Sequence, residues 1–120
     1  MINLLIEADR VQLLAGEPLA VEAPRDDGST QAIYRCPTCQ VAVFSHYGWP
    51  ELRFVRGGTL DEPEQVAPDV HIFTRSKLSW VTLPESVPAF DAYYDRHAIW
   101  PQASLDRLDA VIATRRRREE

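Results

Sequence analysis

Short runs of hydrophobic and polar positions alternate along the first part of the chain, in the pattern of strands that pair in an antiparallel sheet. Turn-forming residues separate these runs, most clearly the Asp27-Gly28 pair. The pattern predicts strands over residues 2–6, 11–14, 19–23, 31–35, 41–45, 52–56 and 70–74.

One segment near the end of the chain carries a helical period instead. Its apolar residues recur at spacings of three and four, and Ser104 stands directly before them as a suitable N-cap. The stripe consists of Leu105, Leu108, Val111 and Ile112. The sequence therefore predicts a mainly β fold with a C-terminal amphipathic helix over residues 104 to about 117, whose apolar stripe is buried against the sheet or a partner.

The composition is that of a folded protein of one domain. The chain has 120 residues, of which 45% are hydrophobic and 26% charged, and this length is too short for two comfortable cores. Its net charge of -5 argues against a nucleic-acid partner, which would require a basic face. The run Arg115-Arg116-Arg117-Arg118 is interpreted as the solvated end of the helix, where cations suit the helix dipole.

Membrane and export signals are not recognised in the sequence. No apolar stretch approaches the roughly 18 residues that a membrane span needs, and the first residues contain no basic leader or signal-peptide cleavage site. We therefore expect a cytoplasmic protein without a membrane partner.

The candidate chemistry is concentrated in Cys36-Pro37-Thr38-Cys39, a knuckle that holds both cysteines of the chain. Two thiolates at this spacing form half of a structural zinc site, which takes four ligands. A redox pair is the first alternative, although such a pair usually begins a helix and residues 40–45 have a β-like pattern. Two buried thiols without a metal are the second alternative. The metal-ligand interpretation predicts Cys36 and Cys39 as zinc ligands.

The chain has three histidines, which are candidates for further roles. His46 lies seven residues after Cys39 and could complete a zinc site, but an ordinary histidine at a strand end is the simpler interpretation. His71 is expected to be a hydrogen-bonded structural residue rather than a catalytic base, and His97 a surface loop residue.

Other side chains that could suggest a site have structural interpretations. Asp61 and Glu62, followed by Pro63, are expected to shape a turn. Core or lid packing is the expected use of the larger aromatic residues, which are Trp49, Trp80, Trp100, Tyr93 and Tyr94. The sequence therefore predicts no catalytic residue and does not identify a cofactor-binding residue.

The order of several short motifs resembles the family of glutathione-dependent formaldehyde-activating enzymes, to which centromere protein V belongs. The resemblance covers residues 1 to about 90. It is carried by Tyr34-Arg35-Cys36-Pro37-Thr38-Cys39, Gly57-Gly58-Thr59-Leu60-Asp61-Glu62-Pro63, Pro68, His71-Ile72-Phe73, Lys77, Trp80, Leu83-Pro84 and Pro88-Ala89-Phe90. It implies that residues 1–90 are the C-terminal portion of the family's domain and that residues 91–120 are an extension with the predicted helix.

The resemblance implies a β-tent fold of small antiparallel sheets, with one structural zinc held by four cysteines and a second zinc held by three. Cys36 and Cys39 correspond to the later pair of the structural site. The five upstream cysteines have no counterpart in this sequence, so the zinc site is expected to be incomplete in this chain. Gln40 replaces the glycine that the family usually has after the knuckle, where a left-handed backbone conformation is easier for glycine.

The implied activity is carbon–sulfur lyase chemistry on a small-molecule thiol adduct, with glutathione as co-substrate, as in S-hydroxymethylglutathione synthesis. Because three cysteine ligands of the second zinc are missing, we expect the 120-residue chain to be inactive by itself. The alternative is a non-catalytic zinc-supported binding module.

Two explanations of the missing cysteines remain open, a true start codon further upstream and a shortened family member. A homodimer is one way in which a shortened chain could obtain two more sulfur ligands and cover its first strand.

Overall fold

The computed structural model describes residues 1–119, which divide into two compact units, Met1–Gln65 and Val66–Glu120. Within the described residues five strands form one antiparallel sheet, and all five lie in the first unit. They are β1 (Asn3–Glu7), β2 (Leu19–Pro24), β3 (Thr30–Arg35), β4 (Ala42–His46) and β5 (Leu52–Arg56). The second unit contains the helices α1 (Arg96–Ile99) and α2 (Gln102–Glu119). The predicted mainly β fold with a C-terminal helix is confirmed.

The strand order is β1-β5-β4-β3-β2. Strands β2 to β5 are consecutive hairpin partners, and β1 pairs with β5 in the register Asn3↔Arg56 to Glu7↔Leu52. Strands β1 and β2 therefore form the two edges of the sheet. The register shifts between Tyr34 and Arg35, directly before the knuckle.

Side chains alternate between the two faces of the sheet, and burial is greatest on its central strand. On β4, Phe44 is 6% exposed and Ser45 is fully buried. The Ser45 hydroxyl has no hydrogen-bond partner within residues 1–119. Phe44 points to the same face as Tyr34, and the two rings stack with their centroids 4.5 Å apart.

The turn between β2 and β3 has the predicted Asp-Gly chemistry. The Asp27 carboxylate accepts the backbone N–H of Ser29 at 2.9 Å and also its hydroxyl, which holds the pKa of Asp27 below its usual range. Gly28 adopts a positive φ of 85°, which the missing side chain allows. This local chemistry fixes the hairpin that precedes the knuckle.

Two predicted strands are wrong. Residues 11–14 follow a short 3-10 turn at Ala8–Arg10 and form no strand, and Leu14 is 88% exposed. Residues 70–74 make only an isolated bridge from His71 to Ala89 before a 3-10 turn at Thr74–Ser76. Both segments have apolar, strand-like composition, but strand formation also requires an adjacent strand, which composition does not supply.

The helix prediction is largely correct, but its start is wrong. The helix α2 begins at Gln102, and the Pro101 carbonyl accepts the N–H groups of Ser104 and Leu105, so Ser104 lies in the first turn rather than at the N-cap. The predicted stripe is the less exposed face of α2, with Leu108 buried and the other three residues half-buried. Arg116, Arg117 and Arg118 are exposed in the last turn, as predicted. No helix within residues 1–119 combines the length and the apolar character needed to cross a membrane.

Candidate functional site

The knuckle lies at the tip of the hairpin formed by β3 and β4, as the sequence predicts. The Cys36 N–H donates to the Val41 carbonyl at 2.9 Å, and the Gln40 N–H donates to the Cys36 carbonyl at the same distance. Cys36 is half-buried, whereas Cys39 is exposed, and both are free thiols. A hydrogen-bonded backbone turn therefore presents two sulfur atoms at one end of the sheet.

The backbone of this turn favours a thiolate at Cys36. The N–H groups of Cys39 and Thr38 are directed at the Cys36 sulfur, and together with the Cys39 thiol they hold the pKa of Cys36 below its usual range. N–H donors stabilise the anionic form of an acceptor, and the thiolate is the form that binds metals. The knuckle is thus electrostatically suited to a cation.

Gln40 closes the knuckle in the conformation that the missing glycine would favour. Its φ is 66°, in the left-handed region that non-glycine residues adopt at a cost. Arg35 Nη1 donates to the Gln40 carbonyl at 3.0 Å, and Gln40 Nε2 donates to the Pro37 carbonyl at 3.4 Å. These two side-chain bonds partly offset the backbone strain.

The described residues fit half of a zinc site. Within residues 1–119 no group of three or more histidine, cysteine, aspartate or glutamate side chains is placed to hold a metal ion. His46, the candidate third ligand, lies instead on the face of the sheet, where its Nε2 is 3.3 Å from the Tyr34 hydroxyl. Cys36 and Cys39 would therefore supply two of the four ligands of a tetrahedral zinc.

A second candidate site, absent from the sequence-based predictions, lies on the sheet face of Phe44. The Arg53 guanidinium is 5.2 Å from the Phe44 ring centroid and 5.8 Å from that of Tyr34. Its Nη1 donates to the carbonyls of Pro50 and Leu52. We call Arg53, Tyr34, Phe44 and His46 the arginine cluster.

The cluster brings together residues from three neighbouring strands. Tyr34 lies opposite Phe44, and Phe44 lies opposite Val55. His46, two residues after Phe44, and Arg53, two residues before Val55, therefore lie on the same face. Alternation along a strand predicts which side chains of that strand share a face. The strand order and register that bring the cluster together cannot be predicted in this way.

Burial and the positive charge of Arg53 lower the pKa of His46. Its Nδ1 is buried and has no hydrogen-bond partner within the described residues. An unpartnered lone pair costs less than an unpartnered N–H, so the neutral imidazole with Nε2–H donating to Tyr34 is the tautomer that suits this site. The imidazole therefore adds no positive charge beside Arg53 at neutral pH.

The other two histidines belong to the second unit. The His71 backbone N–H donates to the Pro88 carbonyl, and its carbonyl accepts from Phe90. His97 is exposed, as predicted, but it lies in the helix α1 rather than in a loop, because the Asp95 carboxylate accepts its N–H at 3.0 Å and caps that helix.

The aromatic residues divide between packing and exposure. Trp49 is half-buried, and Trp100 Nε1 donates to the Tyr94 hydroxyl at 2.8 Å, in agreement with a packing role. Trp80 is 77% exposed, so the packing prediction is wrong for this residue. Tyr93 is 53% exposed, but its ring contacts that of Tyr94, with the centroids 4.6 Å apart. Asp61 and Glu62 lead into a 3-10 turn at Pro63–Gln65, as predicted.

Comparison with known proteins is consistent with this fold and knuckle. The family model described as "Glutathione-dependent formaldehyde-activating enzyme" matches residues 1–76, more than half of the chain. No curated protein and no solved structure matches the chain significantly. The family match includes the whole sheet, the knuckle and the arginine cluster. The chain therefore belongs to the family of glutathione-dependent formaldehyde-activating enzymes.

Proposed function

We propose that this protein is a carbon–sulfur lyase-type member of its family and acts on adducts of glutathione or a similar small thiol. The family supports the reaction class. The observation that carries the assignment of its residues is the knuckle at the tip of the β3–β4 hairpin, in which two backbone N–H groups favour a thiolate at Cys36. A cytoplasmic location, where thiols stay reduced, suits this chemistry.

In this proposal Cys36 and Cys39 hold a structural zinc and are not catalytic groups. A structural zinc is closed by four protein ligands, whereas a catalytic zinc keeps an open position for water or substrate. When bound, the metal would fix the tip of the β3–β4 hairpin and neutralise the thiolate charge. The Thr38 and Cys39 N–H groups would orient the Cys36 sulfur.

The thiolate assignment can be tested with Co²⁺, whose spectrum reports sulfur ligands directly. We expect excess Co²⁺ to give a thiolate charge-transfer band that is lost in both Cys36→Ser and Cys39→Ser. His46→Gln is the matched control, because His46 is bonded to Tyr34 rather than grouped with the cysteines, and it should keep the band. A band that survives either serine substitution would contradict the paired-ligand assignment.

The 120-residue chain is expected to be catalytically silent by itself. Both of its cysteines are assigned to the structural site, so none is left for a three-cysteine catalytic site. The zinc-supplemented chain should therefore not accelerate the condensation of formaldehyde with glutathione above the uncatalysed rate. The adduct can be followed by NMR, and turnover proportional to protein concentration would contradict this expectation.

The second candidate function is a non-catalytic binding module that uses the same sheet. The arginine cluster favours it, because the cluster offers donors for a ligand and its four members include no carboxylate or thiol, only Arg53 and the Tyr34–His46 pair as titratable groups. Binding of a thiol adduct without turnover, in a chain whose cysteine pair is intact, would support the module over the enzyme.

A further inference from the structure

The Arg53 guanidinium of the arginine cluster has no acidic partner among the described residues. Within residues 1–119, the salt bridges do not include Arg53, although the chain as a whole carries an excess of negative charge. The Arg53 side chain is half-buried. A partly desolvated guanidinium usually has an anionic partner, since burying a charge without one is unfavourable. The Arg53 guanidinium is therefore suited to bind an anion that is not part of the described residues.

The guanidinium is also held in a fixed orientation. Two backbone carbonyls, those of Pro50 and Leu52, accept from Nη1, and the Phe44 and Tyr34 rings lie within 6 Å of the guanidinium carbon. Nε and Nη2 have no hydrogen-bond partner within residues 1–119. These two nitrogens form one edge of the guanidinium fork, whose spacing matches the two oxygens of a carboxylate.

The groups beside Arg53 set the charge that the site can accept. The Tyr34 hydroxyl is a further donor or acceptor on the same face, and it is linked to the imidazole of His46 at 3.3 Å. His46 carries no charge at neutral pH, because burial and Arg53 lower its pKa. One guanidinium charge balances one carboxylate, whereas a phosphate dianion would need a second cation.

We propose that the arginine cluster is a binding site for the carboxylate of a small organic ligand, with Arg53 as a bidentate donor and the Tyr34 hydroxyl beside it. The identity of that ligand as a carboxylate-bearing thiol adduct rests on the proposed function, but the carboxylate site itself does not. Arg53 is a ligand-binding residue in this proposal. The aromatic rings hold its guanidinium in place.

The test uses S-methylglutathione, a carboxylate-bearing probe whose sulfur cannot react or bind a metal as a thiolate. Saturable binding to the 120-residue chain is expected by calorimetry or NMR titration. Arg53→Gln should weaken this binding at least about tenfold, because it removes a charge-assisted bidentate pair. Arg56→Gln is the matched control on the same strand: Arg56 pairs with Asn3 on the opposite face, and its loss should change the affinity less than about twofold.

Two readouts on the unsubstituted chain keep the test decisive if Arg53→Gln fails to fold. The dimethyl ester of the probe lacks both carboxylates and should not bind. The carboxylate form should raise the pKa of the His46 imidazole, followed by NMR, because a new negative charge favours protonation nearby. Absence of saturable binding, equal binding of the ester, or equal loss in both arginine variants would overturn the proposal.

The outcome is independent of the test of the proposed function. Binding of an S-methylated probe needs neither zinc nor turnover, so it can succeed when the Co²⁺ and adduct experiments fail. Conversely, Co²⁺ binding through both cysteines without carboxylate binding would support the zinc knuckle. The same result would contradict the carboxylate site at the arginine cluster.

Discussion

At the scale of single residues, the first unit contains positions where the structure differs from the conformation or environment that the residue type prefers. Gln40 occupies a left-handed conformation at the knuckle, and Ser45 buries a hydroxyl that has no partner within residues 1–119. Each of these features costs free energy that the rest of the fold must offset. Both lie within a few residues of a candidate site, on β4 or at the turn before it.

Gln40→Gly should stabilise the chain. Glycine adopts a φ of 66° without the steric cost that glutamine has there, and the bond lost to the Pro37 carbonyl is long and exposed. We expect the free energy of unfolding to rise by about 0.5–1 kcal/mol. Denaturant titration measures it, with Gln40→Ala as the control, because alanine also loses the bond but retains the strain. A glycine variant no more stable than the alanine variant would contradict this interpretation.

The half-buried His46 of the arginine cluster predicts a pH dependence. The folded-state pKa of His46 lies below its ordinary value of 6.5, because burial and Arg53 disfavour its protonated form. The unfolded chain therefore binds this proton first as the pH falls. The free energy of unfolding should be insensitive to this group above about pH 7 and should decrease from pH 6.5 downward, until the folded-state pKa is passed.

Denaturant midpoints measured between pH 5 and 8 test this prediction. His46→Gln should flatten the decrease below pH 6.5. His97→Gln replaces an exposed histidine and serves as the matched control, which should keep the slope of the unsubstituted chain. An identical slope in the His46→Gln chain would show that other groups cause the pH dependence.

At the scale of elements, the five strands of the sheet within residues 1–119 all correspond to runs predicted from the sequence, and four of them pair with neighbours in the chain. Residues 19–56 contain alternating runs joined by short turns, and each of them pairs with its neighbour in the chain. Residues 11–14 and 70–74 have similar composition but no neighbouring strand in the right register, so composition alone overestimates the number of strands. The knuckle follows from cysteine spacing, whereas the arginine cluster depends on strand order and could not be read from any one segment.

The helix α2 provides a test of burial at this scale. Leu108 is 8% exposed, and Leu78, in the same unit, is 56% exposed. Leu108→Ala should lower the free energy of unfolding by about 2–3 kcal/mol, because it removes buried apolar contacts and leaves a cavity. Leu78→Ala should cost less than about 0.5 kcal/mol. Equal effects of the two substitutions would show that the apolar stripe of α2 is not packed.

At the scale of the whole molecule, the number of sulfur ligands limits the state of the chain in solution. Two thiolates cannot saturate a tetrahedral zinc, so a single 120-residue chain has to complete the shell with water. We expect this chain to be a monomer that is metal-free or weakly loaded with zinc. Zinc stoichiometry, measured beside the solution mass, tests this expectation.

A symmetric dimer is the contrasting outcome. Two copies would supply four sulfur atoms to one zinc and would show half a zinc per chain at twice the monomer mass. In that case Cys39→Ser should remove both the zinc and the dimer, whereas Leu78→Ala should affect neither. This result would contradict the expected monomer and would show that the zinc site at the knuckle is shared by two chains.

The position of β1 in the strand order has a consequence for the folding pathway. Strands β2 to β5 pair with sequence neighbours through short turns, but the Asn3–Arg56 contact joins residues 53 positions apart. Closing so long a loop has an entropic cost, which is offset only when the contacts between β1 and β5 form. We therefore expect the meander of β2 to β5 to form first and β1 to dock last. By the same argument β1 is the first strand to detach, so its amide hydrogens should exchange before those of the central strands.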